Sequence, residues 1–200
     1  MPRAEAGLSG VDAGQSLVQV ARQCTGRRVL FWFRRDLRLA DMPALRATTD
    51  AVELLPVWVD EARWHQPDRW GVVPLGPHRA RFQADAVADL DRSLQALGSR
   101  LWAQAGDPVA VITGLVRAAA IDVVVTQAEP APFEQDDVAA LRRAGVQVLT
   151  VAATSLFDLA DLPFKSAAVP TVFTPFRHAV EGERTPVHPP MAVPRSLPPL

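Results

Sequence analysis

A cluster of charged side chains that could bind a ligand lies in residues 32–41, WFRRDLRLAD, at the end of a short apolar segment. Its charged side chains belong to Arg34, Arg35, Asp36, Arg38 and Asp41. The arginines can form ion pairs with the two aspartates, or they can grip an anionic ligand through paired, charge-assisted hydrogen bonds. Spacing alone favours a loop network that satisfies itself, because most charged surface loops do no more than this.

A second candidate is Glu129, in the segment QAEPAPFE that spans residues 127–134. A carboxylate that follows a strand can accept two N–H hydrogen bonds from one ligand. An acidic residue here can equally belong to the start of a helix, where negative charge is favourable. Glu134 fits the helical role well, and the residues alone leave both roles open for Glu129.

Other kinds of chemistry are poorly represented in the sequence. Cys24 is the only cysteine, so no internal disulfide can form, and a reducing, cytoplasmic location is expected. The four histidines lie far apart, and we find no metal-ligand spacing, glycine-rich phosphate loop or nucleophile elbow. The formal net charge is -1 and the apolar runs are short. Neither nucleic-acid binding by this chain itself nor a membrane span is therefore expected.

Five apolar segments predict the strands that position these residues. They are residues 29–33, 52–59, 101–103, 122–126 and 146–151. Helical patterns lie between them, one with apolar positions from Phe82 to Leu97, one starting at Asp107-Pro108 and one over residues 136–144. This alternation indicates an α/β fold, a doubly wound five-stranded parallel sheet. Ligands bind such sheets where the strand order reverses, which we expect between the first and fourth strands.

The chain divides into three parts. The first, residues 1–26, is expected to be a flexible extension with a short helix around residues 17–23. Residues 27–184 form the α/β domain. The third part, residues 185–200, contains six prolines and is expected to be an extended linker rather than a packed end.

The five tryptophans invite the idea of an electron relay, but their positions predict structural roles. Trp32, Trp58 and Trp102 lie in or beside predicted strands and are expected in the core. Trp64 and Trp70 are expected to be loop or interface residues.

Several separate motifs resemble the photolyase/cryptochrome family. The segment 29–45, which contains WFRRDLRLAD, is similar to the family's opening signature, although Ala40 and Met42 stand where His and Asn are common. Residues 76–99 resemble the helix before the third strand in the DASH type. Residues 161–177, DLPF followed by PTVFTPFR, resemble a DASH signature. The motifs occur in the expected order across most of the predicted domain.

This resemblance implies a Rossmann-like photolyase amino-terminal domain that binds an antenna chromophore, methenyltetrahydrofolate. In the family, an acidic residue at the position of Glu129 hydrogen-bonds the pterin of this folate. Phe33, Arg34 and Arg35 are weaker candidates for the same pocket. The resemblance also implies that FAD and the DNA lesion bind a separate helical domain, where blue light drives pyrimidine-dimer repair or photoreception.

The chain ends where that helical domain would begin, so we expect a truncated protein that is inactive alone. FAD would be held only in the missing domain, and DNA would be contacted only through it, in cis or as a separate chain.

Two other functions stay open on the residues alone. The chain can be a non-catalytic docking module for a separate flavin-binding subunit, with an exposed, apolar face. A monomer that binds folate would exclude this module. The chain can also be a nucleotide-binding stress-type domain on a related sheet, although it lacks a glycine-rich phosphate loop.

Overall fold

The chain places a parallel sheet between two layers of helices. The computed structural model describes residues 14–152, 155–165 and 168–200. The strands in these ranges are β1 (Arg28–Phe33), β2 (Glu53–Glu61), β3 (Trp102–Gly106), β4 (Val123–Gln127) and β5 (Val148–Val151). The α-helices in the same ranges are α1 (Leu17–Cys24), α2 (Pro43–Arg46), α3 (Pro77–Gln95), α4 (Pro108–Ala118), α5 (Pro132–Arg143) and α6 (Phe173–Gly182). None of these helices is long and apolar enough to cross a membrane.

The strand order is β3-β2-β1-β4-β5, and all the strand pairs are parallel. The order reverses between β1 and β4, because the chain winds outward from β1 in one direction and then returns to continue on the other side. This confirms the predicted doubly wound sheet and its switch point. All five predicted strands are present, with their ends shifted by a few residues.

The central strand β1 supplies side chains to both layers of the core. Phe31 and Phe33 face the layer that contains α1, α2 and α3, whereas Leu30 and Trp32 face the layer that contains α4 and α5. All four side chains are at most 1% exposed. Burial on both faces explains why this strand is continuously apolar instead of alternating.

Two aromatic residues that the sequence assigns to buried faces are exposed. The prediction for Trp102 is wrong: the residue is 51% exposed, because β3 lies at the edge of the described sheet. Phe82 is 75% exposed, because α3 buries only its carboxyl-terminal half, around Leu90. Trp32 and Trp58 are buried as predicted.

The expectation that the chain begins with a flexible extension is wrong from residue 14 onward. Helix α1 is present where the short helix was predicted, and its Val20 and Cys24 are fully buried in the core. Gln15 also pairs with the edge of β5. Because the helix is amphipathic, its apolar side packs on the sheet and joins the folded domain. Residues 1–13 lie outside the described residues.

The proline-rich segment after α6 is extended, as predicted, but it packs against the domain. It contains no helix or strand, and Pro194 and Pro198 are nevertheless buried. The carbonyl of Pro199 accepts a hydrogen bond from the backbone N–H of Leu54 at 2.8 Å, at an end of β2 that β3 leaves unpaired. The prediction of an unpacked linker is therefore wrong. Proline cannot donate to a ladder, but its carbonyl can still accept and its ring can still be buried.

The packing of α1 can be tested with two matched substitutions. Val20 is 0% exposed and Val18, in the same helix, is 57% exposed. We expect Val20→Asp to lower the free energy of unfolding by about 3 kcal/mol or more, because it buries an unpaired carboxylate. Val18→Asp should change it by about 0.5 kcal/mol or less. Urea denaturation measures both, and equal effects would show that α1 is not part of the folded domain.

Candidate functional site

The carboxyl ends of β1 and β4 meet at the switch point of the sheet. Thr126 of β4 is fully buried, and its hydroxyl donates to the carbonyl oxygen of Trp32 in β1 at 2.9 Å. This bond holds the two strand ends together. The chain leaves β1 at Arg34 and leaves β4 toward Glu129, so the topology brings two predicted site residues into one neighbourhood.

Arg34 is held in a buried position by α5. Its side chain is 3% exposed, and Nη2 lies 2.7 Å from Oδ2 of Asp137. Nη1 donates to the backbone carbonyl of Glu134 at 3.0 Å, and the guanidinium lies 4.2 Å from the ring centroid of Trp32. Burial lowers the pKa of Arg34, whereas the negative charges of Asp137 and its acidic neighbours oppose this effect. The guanidinium remains charged, since arginine does not deprotonate in proteins.

The same carboxylate of Asp137 also holds Arg63, which lies just after β2. Nη2 of Arg63 is 2.5 Å from Oδ2 of Asp137 and 2.6 Å from Oε2 of Glu61. Burial disfavours the charged form of Arg63, but its hydrogen bonds to the two carboxylates outweigh this and raise its pKa. Asp137 therefore joins β1, β2 and α5 through two arginines.

Arg35 forms a second ion pair with α5. Its Nε lies 2.5 Å from Oε1 of Glu134, and its guanidinium stacks over Trp64 at 4.9 Å. Glu134 is 3% exposed, and its Oε2 is buried without a hydrogen-bond partner among the described residues. Burial opposes ionisation of Glu134, but the hydrogen bond from Arg35 and the nearby positive charges hold its pKa below the ordinary value. Glu134 lies in the first turn of α5, as predicted.

Glu129 lies in the short connection between β4 and α5 and is partly buried. Its backbone carbonyl accepts a hydrogen bond from Nε2 of Gln135, whereas its carboxylate has no hydrogen-bond partner among the described residues. Burial raises the pKa of Glu129, the charge of Arg34 opposes this, and the negative charge of Glu134 raises it further. The site thus contains an acidic group with unused capacity to accept hydrogen bonds.

The four predicted site residues occupy three different environments. Phe33 is in the core, where its ring packs edge-on against Phe31 at 4.6 Å between centroids. Arg34 and Arg35 line a cavity of about 470 Å³ at the carboxyl ends of β1 and β2. Glu129 is not among the residues that line this cavity, and it interacts electrostatically with the two arginines.

The arginine partners differ from those that the local sequence suggests. Arg38 does pair with Asp36, at 3.0 Å, whereas Arg34 and Arg35 pair with acids about one hundred positions away. Sequence reasoning missed Asp137 entirely. The signal that could have found it is its position in the helix that follows the strand beside β1, because this topology places the first turns of that helix at the switch point.

Comparison with known proteins decides the family. A family model described as DNA photolyase matches residues 29–195. The chain belongs to the DNA photolyase family. Cryptochrome DASH of Gloeobacter violaceus is 37% identical over 179 residues, and the match covers 87% of this chain and 36% of that protein.

Solved structures of photolyase relatives share the fold. The cryptochrome of Synechocystis sp. PCC6803 aligns with a TM-score of 0.81 and 27% identity, over 88% of this chain and 37% of that one. A bacterial class III photolyase from Agrobacterium tumefaciens aligns with a TM-score of 0.71 and 29% identity, over 88% and 36% of the two chains. These matches confirm the predicted photolyase-type α/β domain and its DASH resemblance. The chain spans about a third of the length of these photolyase relatives.

The buried network makes a stability prediction. Asp137→Ala removes the shared partner of Arg34 and Arg63 and leaves a buried positive charge without its main counter-ion. We expect the free energy of unfolding to fall by about 3–5 kcal/mol. Asp136, the neighbouring residue in α5, is exposed, so Asp136→Ala is the matched control and should be nearly neutral. Guanidinium denaturation compares them, and a nearly neutral Asp137→Ala would contradict the role of this network.

Proposed function

We propose that this chain is the light-harvesting α/β domain of a DASH-type cryptochrome or DNA photolyase and that it binds methenyltetrahydrofolate beside Glu129. The observation that carries the proposal is the carboxylate of Glu129, which is partly buried at the switch point and has no hydrogen-bond partner among the described residues. The similar proteins are described as cryptochromes and photolyases, which makes a light-dependent function the first choice.

The surroundings of Glu129 suit a ligand that donates N–H groups. Arg34 is buried against Asp137, and Nε of the half-exposed Arg35 binds Glu134, so neither arginine is hydrogen-bonded to Glu129. Glu129 retains unused acceptor capacity. The amino-pyrimidine edge of a pterin presents adjacent N–H donors, and a single carboxylate can accept both. The free acceptor capacity of Glu129 therefore supports the proposal that the pterin end of a folate binds here.

The chain's own contribution is to bind and orient the pterin. The ionised form of Glu129 is needed to accept two N–H donors, and the positive charge of Arg34 favours this form while burial opposes it. The short link between β4 and α5 holds the carboxylate close to the packed switch point. When bound, the folate supplies light absorption and transfer of excitation energy to a flavin.

FAD and damaged DNA belong, in this proposal, to a helical domain that is either attached to this chain or provided by a separate subunit. The flavin in that domain would transfer an electron to a pyrimidine dimer or serve photoreception. We therefore expect the 200-residue chain by itself to bind no FAD and to repair no DNA.

A second candidate function is a docking module for a separate flavin-binding subunit, without a chromophore of its own. The observation that favours it is a set of three exposed aromatic side chains. Trp70 lies on the loop before α3, Phe82 on α3 and Phe173 on α6, and each is at least 71% exposed. Exposed aromatic side chains are common anchors in protein interfaces. The two candidates differ in a simple way, because only the first predicts folate binding by this chain.

The folate site is tested by titrating the purified chain with 5,10-methenyltetrahydrofolate and following its absorbance and fluorescence. Glu129→Gln should weaken binding by about 10- to 100-fold, because it removes a charged hydrogen-bond acceptor. Glu53→Gln, at the opposite end of the strands, is the matched control and should bind as the wild type does. Absence of folate binding by the wild-type chain would contradict the proposal and leave the docking module.

The raised pKa of Glu129 also predicts a pH dependence. Folate binds the ionised carboxylate, so affinity should be highest above the pKa of Glu129 and should fall as the pH is lowered through it. Because burial raises that pKa, the fall should occur at a higher pH than for an ordinary glutamate. The titration is repeated across the acidic range with Glu129→Gln as the control, which should show a weaker dependence. A wild-type affinity that stays constant through this range would contradict the assignment of Glu129.

A further inference from the structure

The two edge strands of the sheet differ in whether another segment of the chain covers them. At the β5 edge, the backbone N–H of Gln15 donates to the carbonyl of Thr150 at 2.6 Å, so the segment before α1 covers that edge. At the other edge, β3 pairs with β2, and no described segment pairs with its outer side. Residues 102–105 are exposed, so unpaired backbone N–H and C=O groups of β3 face solvent.

The sequence of β3, WAQAG, lacks two of the features that commonly prevent edge strands from pairing. It has no charged residue and no proline. Ala103 lines a cavity of about 380 Å³ together with residues of α3, so alternation places Trp102 and Gln104 on the opposite face of the sheet. On that face, Nε1 of Trp102 donates to Oε1 of Gln104 at 3.3 Å.

We propose that β3 pairs antiparallel with β3 of a second copy of this chain, about a twofold axis, and so joins two sheets into one. Gln104 is the middle residue of the five-residue strand. The register that pairs all five residues therefore places Gln104 opposite Gln104 of the second copy, on the axis. This surface is separate from Glu129, and the proposal does not depend on folate binding.

In this register, the side chains that face each other across the two strands are complementary in size. Trp102 lies opposite Gly106 of the second copy, so the largest side chain of the strand covers the residue that has none. Ala103 lies opposite Ala105 of the second copy, and both are small. Because the pairing is symmetric, each contact occurs twice.

The charges that flank β3 select the antiparallel direction. Arg100 precedes the strand, Asp107 follows it, and both are exposed. Antiparallel pairing brings Arg100 close to Asp107 of the second copy at both ends of the joined strands, whereas parallel pairing would align like charges. Oδ1 of Asp107 caps α4 by accepting the N–H of Ala110 at 2.8 Å, which leaves Oδ2 for the arginine. This reciprocal charge pattern favours a second copy over an unrelated strand.

A five-residue strand pair buries less surface than a standard stable interface, so the association should be weak and concentration-dependent. Sedimentation velocity of the 200-residue chain over a concentration series should show a monomer–dimer equilibrium in the micromolar range. Gln104→Lys should raise the dimer Kd by about tenfold or more, because it places two like charges directly opposite each other. Gln95→Lys, an exposed position on α3, is the matched control and should associate as the wild type does.

A mixing experiment separates this interface from a general loss of folding. The Gln104→Lys and Gln104→Glu variants should each be mainly monomeric, whereas an equimolar mixture should form dimers, because opposite charges then meet on the axis. Circular dichroism verifies that both variants are folded. The proposal is overturned if the wild type stays monomeric throughout the series. It is also overturned if Gln104→Lys associates like the wild type, or if the mixture associates no better than its components.

Discussion

A guanidinium buried at the end of the central strand constrains everything around it. Arg34 follows five apolar residues of β1 and has a side chain that is only 3% exposed, so its charge requires a partner inside the protein. Asp137 provides that partner from the second turn of α5, and it binds Arg63 from the end of β2 at the same time. Helix α5 must therefore begin close to the end of β4. The connection that carries Glu129 is consequently short and held on both sides.

The sequence predicts those parts of the fold that depend on neighbouring residues in the chain, such as apolar runs and helix caps. Five apolar runs became five strands, and Asp107 starts α4 by accepting the N–H of Ala110. Burial depends instead on where an element lies in the finished sheet. Trp102 has a large aromatic side chain of the kind that is often buried in a core, but it is exposed because its strand is at an edge. Helix α1 and the proline-rich segment differ from the prediction for the same reason, because a short or proline-rich segment is buried only where the folded sheet offers a surface to pack against.

The candidate site shows the same division between local and long-range causes. Glu129 was a candidate because it follows a strand beside the switch point, and the structure adds why its carboxylate is unusual. It is partly buried near Glu134 and lacks a hydrogen-bond partner among the described residues, while neighbouring arginines are bound to other acids. No local spacing could show that Arg34 and Arg35 bind α5 rather than the aspartates beside them. Arg34 is paired with Asp137 and Nε of Arg35 with Glu134, which leaves the carboxylate of Glu129 to accept hydrogen bonds from the proposed pterin.

Carbon-detected NMR of the Glu129 side-chain carboxyl group, with and without methenyltetrahydrofolate, would measure the ionisation on which the proposed folate site depends. In the free protein the pKa of Glu129 should lie above that of an ordinary glutamate, and folate binding should lower it, because N–H donors stabilise the carboxylate. A carboxyl resonance and pKa that do not change at saturating folate would contradict the assignment of Glu129 as the group that holds the pterin.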